Sequence, residues 1–183
     1  MTGELEKTNA SYAIAKIAGI KLCDALRAQY NFDAISLMPT NLYGPGDNYH
    51  PENSHVMASL IKKFSEAKKT DKKLVTCWGT GTPLREFMHV YDLAEAIIYC
   101  LEFWSPRDSN APKDKNNNPL YFLNVGTGKD ISIKELVNKI SNIIDYKGEI
   151  VWDESKPDGT PKKQLNVTRI NNLGWSANMN LEE

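Results

Sequence analysis

Tyr12 and Lys16 stand four residues apart in YAIAK. On a helix that spacing puts two side chains on one face, about 6 Å apart. An ammonium at that range stabilises a phenolate and lowers the tyrosine pKa. Such a tyrosine can exchange a proton with a carbonyl or hydroxyl during hydride transfer, and the lysine can also hold the ribose of a nicotinamide cofactor. YxxxK alone is a weak pattern that helices often contain by chance. Its surroundings add weight. The rest of the helix is apolar, so a lysine inside it needs a reason, and the strand that follows ends in PTNLYGP.

The elements that must position this pair follow from periodicity and punctuation. Thr8 or Asn9 can cap the helix, which runs to about Gln29. The stretch YAIAKIAGIKLCDALRAQY is apolar on most faces, which predicts burial on two sides, against a sheet and against a second body. AISLMPTNLYG reads as a strand stopped by Pro39 and Gly44, and YGPGDNYHPENS reads as a loop. HVMASLIKKFSEAKK, VYDLAEAIIYCLEFW and SIKELVNKISNIID read as helices, and VTRINNLGW as a short one. LVTCW, REFMHV, YFLNVGTG and GEIVW read as strands, WGTGTP as a turn and KPDGTPKK as a loop. The polar run SPRDSNAPKDKNNNP reads as a mobile surface loop. This alternation predicts an α/β fold. A complete doubly wound nucleotide-binding domain opens with a strand, a glycine-rich turn and a helix. No GxGxxG or GxxGxxG occurs in the chain. GTGT at 79–82 and GTG at 126–128 have neither the spacing nor the following helix start.

Composition excludes several classes. Lys and Arg number 22 against 23 Asp and Glu, a net charge of −1. That balance, with a pI near 6.3, lacks the basic surplus of a nucleic-acid binder. Hydrophobic residues at 41% and charged residues at 25% suit a globular chain with a sizeable core. No apolar run reaches the roughly 18 residues of a membrane span, and MTGELEKTNAS has no signal-peptide pattern. Cys23, Cys77 and Cys100 are odd in number and far apart, which predicts neither a metal site nor a disulfide framework and fits the cytoplasm.

Four segments carry a resemblance to a known family: TNxxYAIAKIAGIKL, MPTNLYGPxDNxHPENSHV, WGTGTPLREFMHV and KPDGTPKK. Together they resemble the GDP-L-fucose synthase family of extended short-chain dehydrogenase/reductases, over essentially the whole chain. YxxxK and NLYGP mark the superfamily; HPENSHV and KPDGTPKK are specific to this branch. The resemblance implies NADP(H)-dependent 3,5-epimerisation and 4-reduction of GDP-4-keto-6-deoxy-D-mannose. It makes Tyr12 the catalytic acid of reduction and Lys16 its pKa partner and ribose ligand. Pro39, Thr40, Asn41 and Leu42 would line the nicotinamide. His55 would act as general acid in epimerisation and touch the cofactor. Lys63, Trp78, Arg85, Asp158 and Lys163 would hold the GDP part of the substrate. The side chains suit these roles. A histidine titrates near neutrality and can protonate a carbon next to a ketone, Trp78 offers a flat face to guanine, and Arg85 is a fork donor for a diphosphate. His50 competes with His55, but its HP context suggests a turn residue. His89 in REFMHV suggests a structural strand histidine.

The resemblance further implies an incomplete NAD(P)-binding Rossmann fold joined to a smaller α/β substrate-binding domain. Residues 1–48 would be the remainder of the first. Residues 49–183 would mainly form the second, with 84–105 and 120–128 returning to the Rossmann part. In this family the catalytic serine, the epimerising cysteine and the phosphate loop precede the YxxxK helix. The chain is therefore expected to be a carboxy-terminal part that does not bind NADP(H) by itself. Ser11 cannot replace the serine, because on a helix it points about 100° away from Tyr12. Cys23 lies roughly 16 Å along the axis from Tyr12, and Cys77 reads as a buried strand cysteine. The YxxxK helix is expected to pair with its own copy in a homodimer. Two other readings stay open: a GDP-sugar binding module or inactive remnant, and another nucleotide-sugar epimerase or dehydratase.

Overall fold

The computed structural model describes residues 3–50 and 53–182. Pro51 and Glu52 of the HPENSHV motif lie outside the described residues, as does the side chain of Thr8. In chain order the elements are α1 (Ala10–Tyr30), β1 (Ser36–Pro39), β2 (Asn41–Tyr43), α2 (Val56–Lys69), β3 (Leu74–Trp78), β4 (Leu84–His89) and α3 (Val90–Phe103). They continue with β5 (Phe122–Val125), β6 (Asp130–Ser132), α4 (Ile133–Ile144), β7 (Glu149–Asp153), β8 (Lys162–Lys163) and α5 (Thr168–Asn172).

The strands form three small sheets. β1 pairs parallel with β5, and β3 pairs parallel with β7. β4 is the hub of the third, parallel to β2 and β8 and antiparallel to β6. The predicted strand AISLMPTNLYG is split at Thr40, whose N–H still reaches Val125 O at 3.0 Å. Residues 40–41 thereby carry the chain from the β1–β5 sheet to the β2–β4 sheet. β6 and β8 were not legible as strands. β8, inside the predicted KPDGTPKK loop, is extended because Lys162 and Lys163 pair with Leu84 and Arg85.

Two hydrophobic cores hold these layers. One joins Met57, Leu60 and Phe64 of α2, Val75 and Cys77 of β3, and Leu136, Val137 and Ile140 of α4. The other joins Met88, Ala96, Cys100 and Trp104 to Leu123, Val125, Ile170 and Trp175. α4 starts in a capping box: Ser132 Oγ accepts from Glu135 N, and the Glu135 carboxylate accepts from Ser132 N at 3.0 Å. The polar run after α3 is a loop organised by Asp114, which accepts from the Asn116 and Asn118 amides.

α1 departs from expectation. Its 21 residues include none that is buried, so the predicted two-sided burial is not found in this chain. Ile14 and Leu22 are 57% and 59% exposed. The reason is geometric: α1 faces β1 and the following strand end across a cleft, and among the described residues its outward side chains Ile14 and Leu22 stay exposed. Asn9 takes the N-cap position without a side-chain hydrogen bond. The far end is tied down by Arg27, which donates to Ala34 O and lies 4.7 Å from the Tyr121 ring centroid.

Candidate functional site

Two neighbouring clefts collect most of the candidate residues. The first, about 1020 Å³, runs between α1 and the β1–β2 strand end. Tyr12 and Lys16 line it from the helix; Pro39, Thr40, Asn41 and Leu42 line it from the strands; His55 closes it. The i,i+4 spacing puts Lys16 Nζ 5.4 Å from the Tyr12 ring centroid. Ala15, Gly19, Ile20 and Cys23 complete the helix side of the cleft. The strand end is fixed from beneath: Thr40 Oγ1 and Asn41 Nδ2 both donate to Glu86 O, at 3.1 and 2.7 Å. His55 sits at the N-cap position of α2, with extended backbone and no side-chain cap bond, so its imidazole is not committed to the helix start.

The second cleft, about 660 Å³, lies on the other side of the 54–56 segment. Ser54, Val56, Lys63, Trp78 and Trp152 are among its lining residues. His55 therefore lines one cleft while its two neighbours line the other. Trp78 is 68% exposed at the end of β3. The ammonium groups of Lys63 and Lys156 stand 5.9 and 5.6 Å from its ring centroid, within cation–π range. Lys63 also donates to Thr76 O at 2.8 Å. The site thus pairs an open aromatic face with two cations.

Arg85, Asp158 and Lys163 do not line this cleft; they form a cluster beyond the 79–82 turn. Asp158 accepts from Thr80 N at 3.0 Å and from Thr80 Oγ1 at 2.7 Å. These bonds, the hydroxyl's first, hold its carboxyl below the ordinary value. Arg85 Nη1 donates to Leu84 O and Thr160 O, at 2.7 and 2.6 Å. Burial lowers the Arg85 pKa, and Asp158 opposes that shift. Lys163 lies opposite Arg85 in the β4–β8 register. Two basic residues on paired strands and a loop carboxylate tied to Thr80 thus lie close to the turn that follows Trp78.

The other candidates fall into structural positions. His50 Nδ1 accepts from Asn53 N at 3.2 Å, a turn contact. His89 Nδ1 accepts from Tyr91 N, and its ring meets Tyr43 and Tyr91 edge-on. All three cysteines are free. Burial raises the Cys77 pKa and pushes Cys100 up to about 11. Among the described residues no group of His, Cys, Asp and Glu could hold a metal ion. Sequence reasoning missed Asp47 in the first cleft and Trp152 in the second, and it set aside Cys23, which also lines the first, for its distance from Tyr12. Trp152 enters because β7 pairs with β3 in a register that sets it opposite Cys77.

The chain is similar to known proteins over its whole length. The chain is 50% identical over 183 residues to the GDP-L-fucose synthase of Escherichia coli K12, covering all of this chain and 56% of that protein. It is 49% identical over 183 residues to "Probable GDP-L-fucose synthase 1" of Oryza sativa subsp. japonica, covering 52% of that protein. The chain thus spans about half the length of the curated relatives it matches. A GDP-mannoheptose C4 reductase from Campylobacter jejuni, solved with NADP bound, superposes with a TM-score of 0.79 at 34% identity, over 100% of this chain and 56% of that one. A model of the NAD dependent epimerase/dehydratase family matches residues 1–116. With a match over more than half its length, this chain belongs to the NAD dependent epimerase/dehydratase family.

Proposed function

We propose that the chain forms the proton-transfer and GDP-sugar side of an NADP(H)-dependent GDP-L-fucose synthase, acting on GDP-4-keto-6-deoxy-D-mannose. One observation carries this reading: Tyr12, Lys16, residues 39–42 and His55 line a single cleft, and the Trp78 cleft shares the 54–56 segment with it. A nucleotide-sugar laid across that segment would put its base on Trp78 and its hexose beside His55 and Tyr12.

The residues fit the nicotinamide end of a dinucleotide. Lys16 would hold the ribose, residues 39–42 would line the ring, and His55 would touch it. When bound, NADPH supplies the hydride for reduction. The chain's own part is proton handling and orientation. Tyr12 O–H protonates the C4 oxygen as it gains negative charge, and the Lys16 ammonium stabilises the phenolate left behind. His55 returns a proton to carbon on the face opposite the one that lost it, which inverts that centre. Lys63, Arg85, Asp158 and Lys163 would bind the GDP, the cations on its diphosphate and Asp158 at its edge.

Three further parts belong to this proposal. Residues 1–48, 84–105 and 120–128 would form the dinucleotide-binding part and the rest of 49–183 the substrate part; the core around Met88, Ala96, Leu123 and Val125 would belong to the former, with Val167, Ile170 and Trp175 packing on it from the latter. α1 would pair with its own copy in a homodimer, covering Ile14 and Leu22. A cytoplasmic setting suits the three free thiols. No described helix is long and apolar enough to cross a membrane.

The hexose placement is tested by NMR. Adding GDP should move the Trp78 indole resonance alone, whereas GDP-mannose should move Trp78 and His55 together. A GDP-mannose titration that leaves His55 unmoved would overturn the placement. In turnover of the complete enzyme, Tyr12→Phe should abolish reduction at unchanged GDP-sugar affinity, and His55→Gln should depress epimerisation more than reduction.

A further inference from the structure

The glycine turn at 126–128 resembles a phosphate loop too short to be one. The structure shows what fills it. Glu86, next to Arg85 on β4, is 0% exposed. Its Oε1 accepts from Gly128 N at 2.9 Å and Thr127 Oγ1 at 3.4 Å, and its Oε2 accepts from Leu165 N at 2.7 Å. The two backbone partners are donors, the Thr127 hydroxyl divides its one proton between Oε1 and Lys129 O at 3.2 Å, and among the described residues no Lys or Arg forms an ion pair with Glu86. The glycines are what let the carboxylate in. A Cβ on Gly126 would stand 2.1 Å from Oε1, and Gly128 takes φ +70°, a conformation that favours glycine. The turn and Leu165 together form a small anion site of two backbone N–H groups, one from Gly128 and one from Leu165, a cradle occupied by the chain's own side chain.

The same residue holds the first cleft. Glu86 O receives both Thr40 Oγ1 and Asn41 Nδ2. The side chain thus ties the 126–128 turn and Leu165 to β4, while its carbonyl ties the strand end that lines the cleft. Leu165 lies two residues beyond Lys163, so the anchor also reaches the substrate cluster. We propose that Glu86 is the positioning residue of this site, an internal anion that registers the 39–42 wall against the Arg85–Lys163 edge. Its bearing on dinucleotide binding rests on the function proposed above; the cradle itself does not.

The test is amide exchange and NMR on the chain as it stands. In Glu86→Gln the side-chain amide keeps one acceptor oxygen and turns a donor toward the other N–H. Exchange at Gly128 or Leu165, whichever meets the donor, should then rise on the order of tenfold. The Asn41 side-chain resonances should shift as well. Gly126→Ala, which drives a methyl into Oε1, should reproduce both effects in the unmodified chain. It should have little effect in a Glu86→Ala background, because the colliding atom is gone and the next neighbour, Thr40 Cβ, is 3.5 Å away. If Glu86→Ala does not fold, the Glu86→Gln and Gly126→Ala spectra decide the matter. Unchanged protection at both amides overturns the cradle. Lost protection with unmoved Asn41 signals overturns the positioning role. A chain that binds no nucleotide counts against the proposed function and leaves the exchange result intact.

Discussion

Gly81→Ala should destabilise the protein and damage the second cleft together. Gly81 has φ +74°, and a Cβ there would stand 2.6, 2.8 and 3.0 Å from Cη2, Cζ3 and Cζ2 of Trp152. Two costs follow. The left-handed conformation costs a residue with a Cβ about 1–2 kcal/mol. Pushing back the indole costs about 1–3 kcal/mol more, because Trp152 gives up part of its packing on the α2–α4 core as it shifts. The sum is about 2–5 kcal/mol. Gly46 supplies the control, with φ +81° and nothing within 4 Å of its added Cβ. Gly46→Ala should cost only the backbone component, about 1–2 kcal/mol. Urea unfolding of the two variants measures the difference, and Trp152→Leu should recover most of it in the Gly81→Ala background. Since Trp152 lines the Trp78 cleft, GDP affinity should fall in Gly81→Ala and hold in Gly46→Ala. Equal destabilisation by the two substitutions would refute the close Gly81–Trp152 approach and this account of the cleft wall.

Phe64 is fully buried and meets the Tyr146 ring edge-on at 5.5 Å, so Phe64→Ala should cost about 3–5 kcal/mol by urea unfolding. Ser132→Ala removes the α4 capping box and should cost about 1 kcal/mol, with GDP affinity unchanged by calorimetric titration. The Asp158 carboxyl is held below its ordinary 3.8 by Thr80. The folded value lies below the unfolded one, so the bonds to Thr80 contribute fully above the ordinary range and are lost as pH falls through the lowered value. An NMR pH titration should therefore place the Thr80 amide midpoint below 3.8, and a midpoint above it would contradict this latch.

Local chemistry made part of the site legible. The Tyr12–Lys16 spacing needs only a helix, and the PTNLYGP strand end needs only its own proline and glycine. What sequence could not supply is pairing at a distance. Lys162 and Lys163 become a strand through the exposed edge of β4, Trp152 reaches Trp78 through the β3–β7 register, and the GTG turn takes its meaning from Glu86, some forty residues earlier in the chain. The burial of α1 failed for a related reason: apolar composition states that a face wants a partner, and this chain supplies one side only.

The central claim is that the Trp78 cleft receives a guanine nucleotide beside the proton-donor cleft. It is tested most directly by titrating the chain with GDP-mannose while following tryptophan fluorescence. Trp78 is exposed and would be covered by the base, so the account predicts saturable quenching that Trp78→Ala and Arg85→Ala both abolish without loss of helical circular dichroism. Quenching that never saturates, or that survives both substitutions, would contradict it.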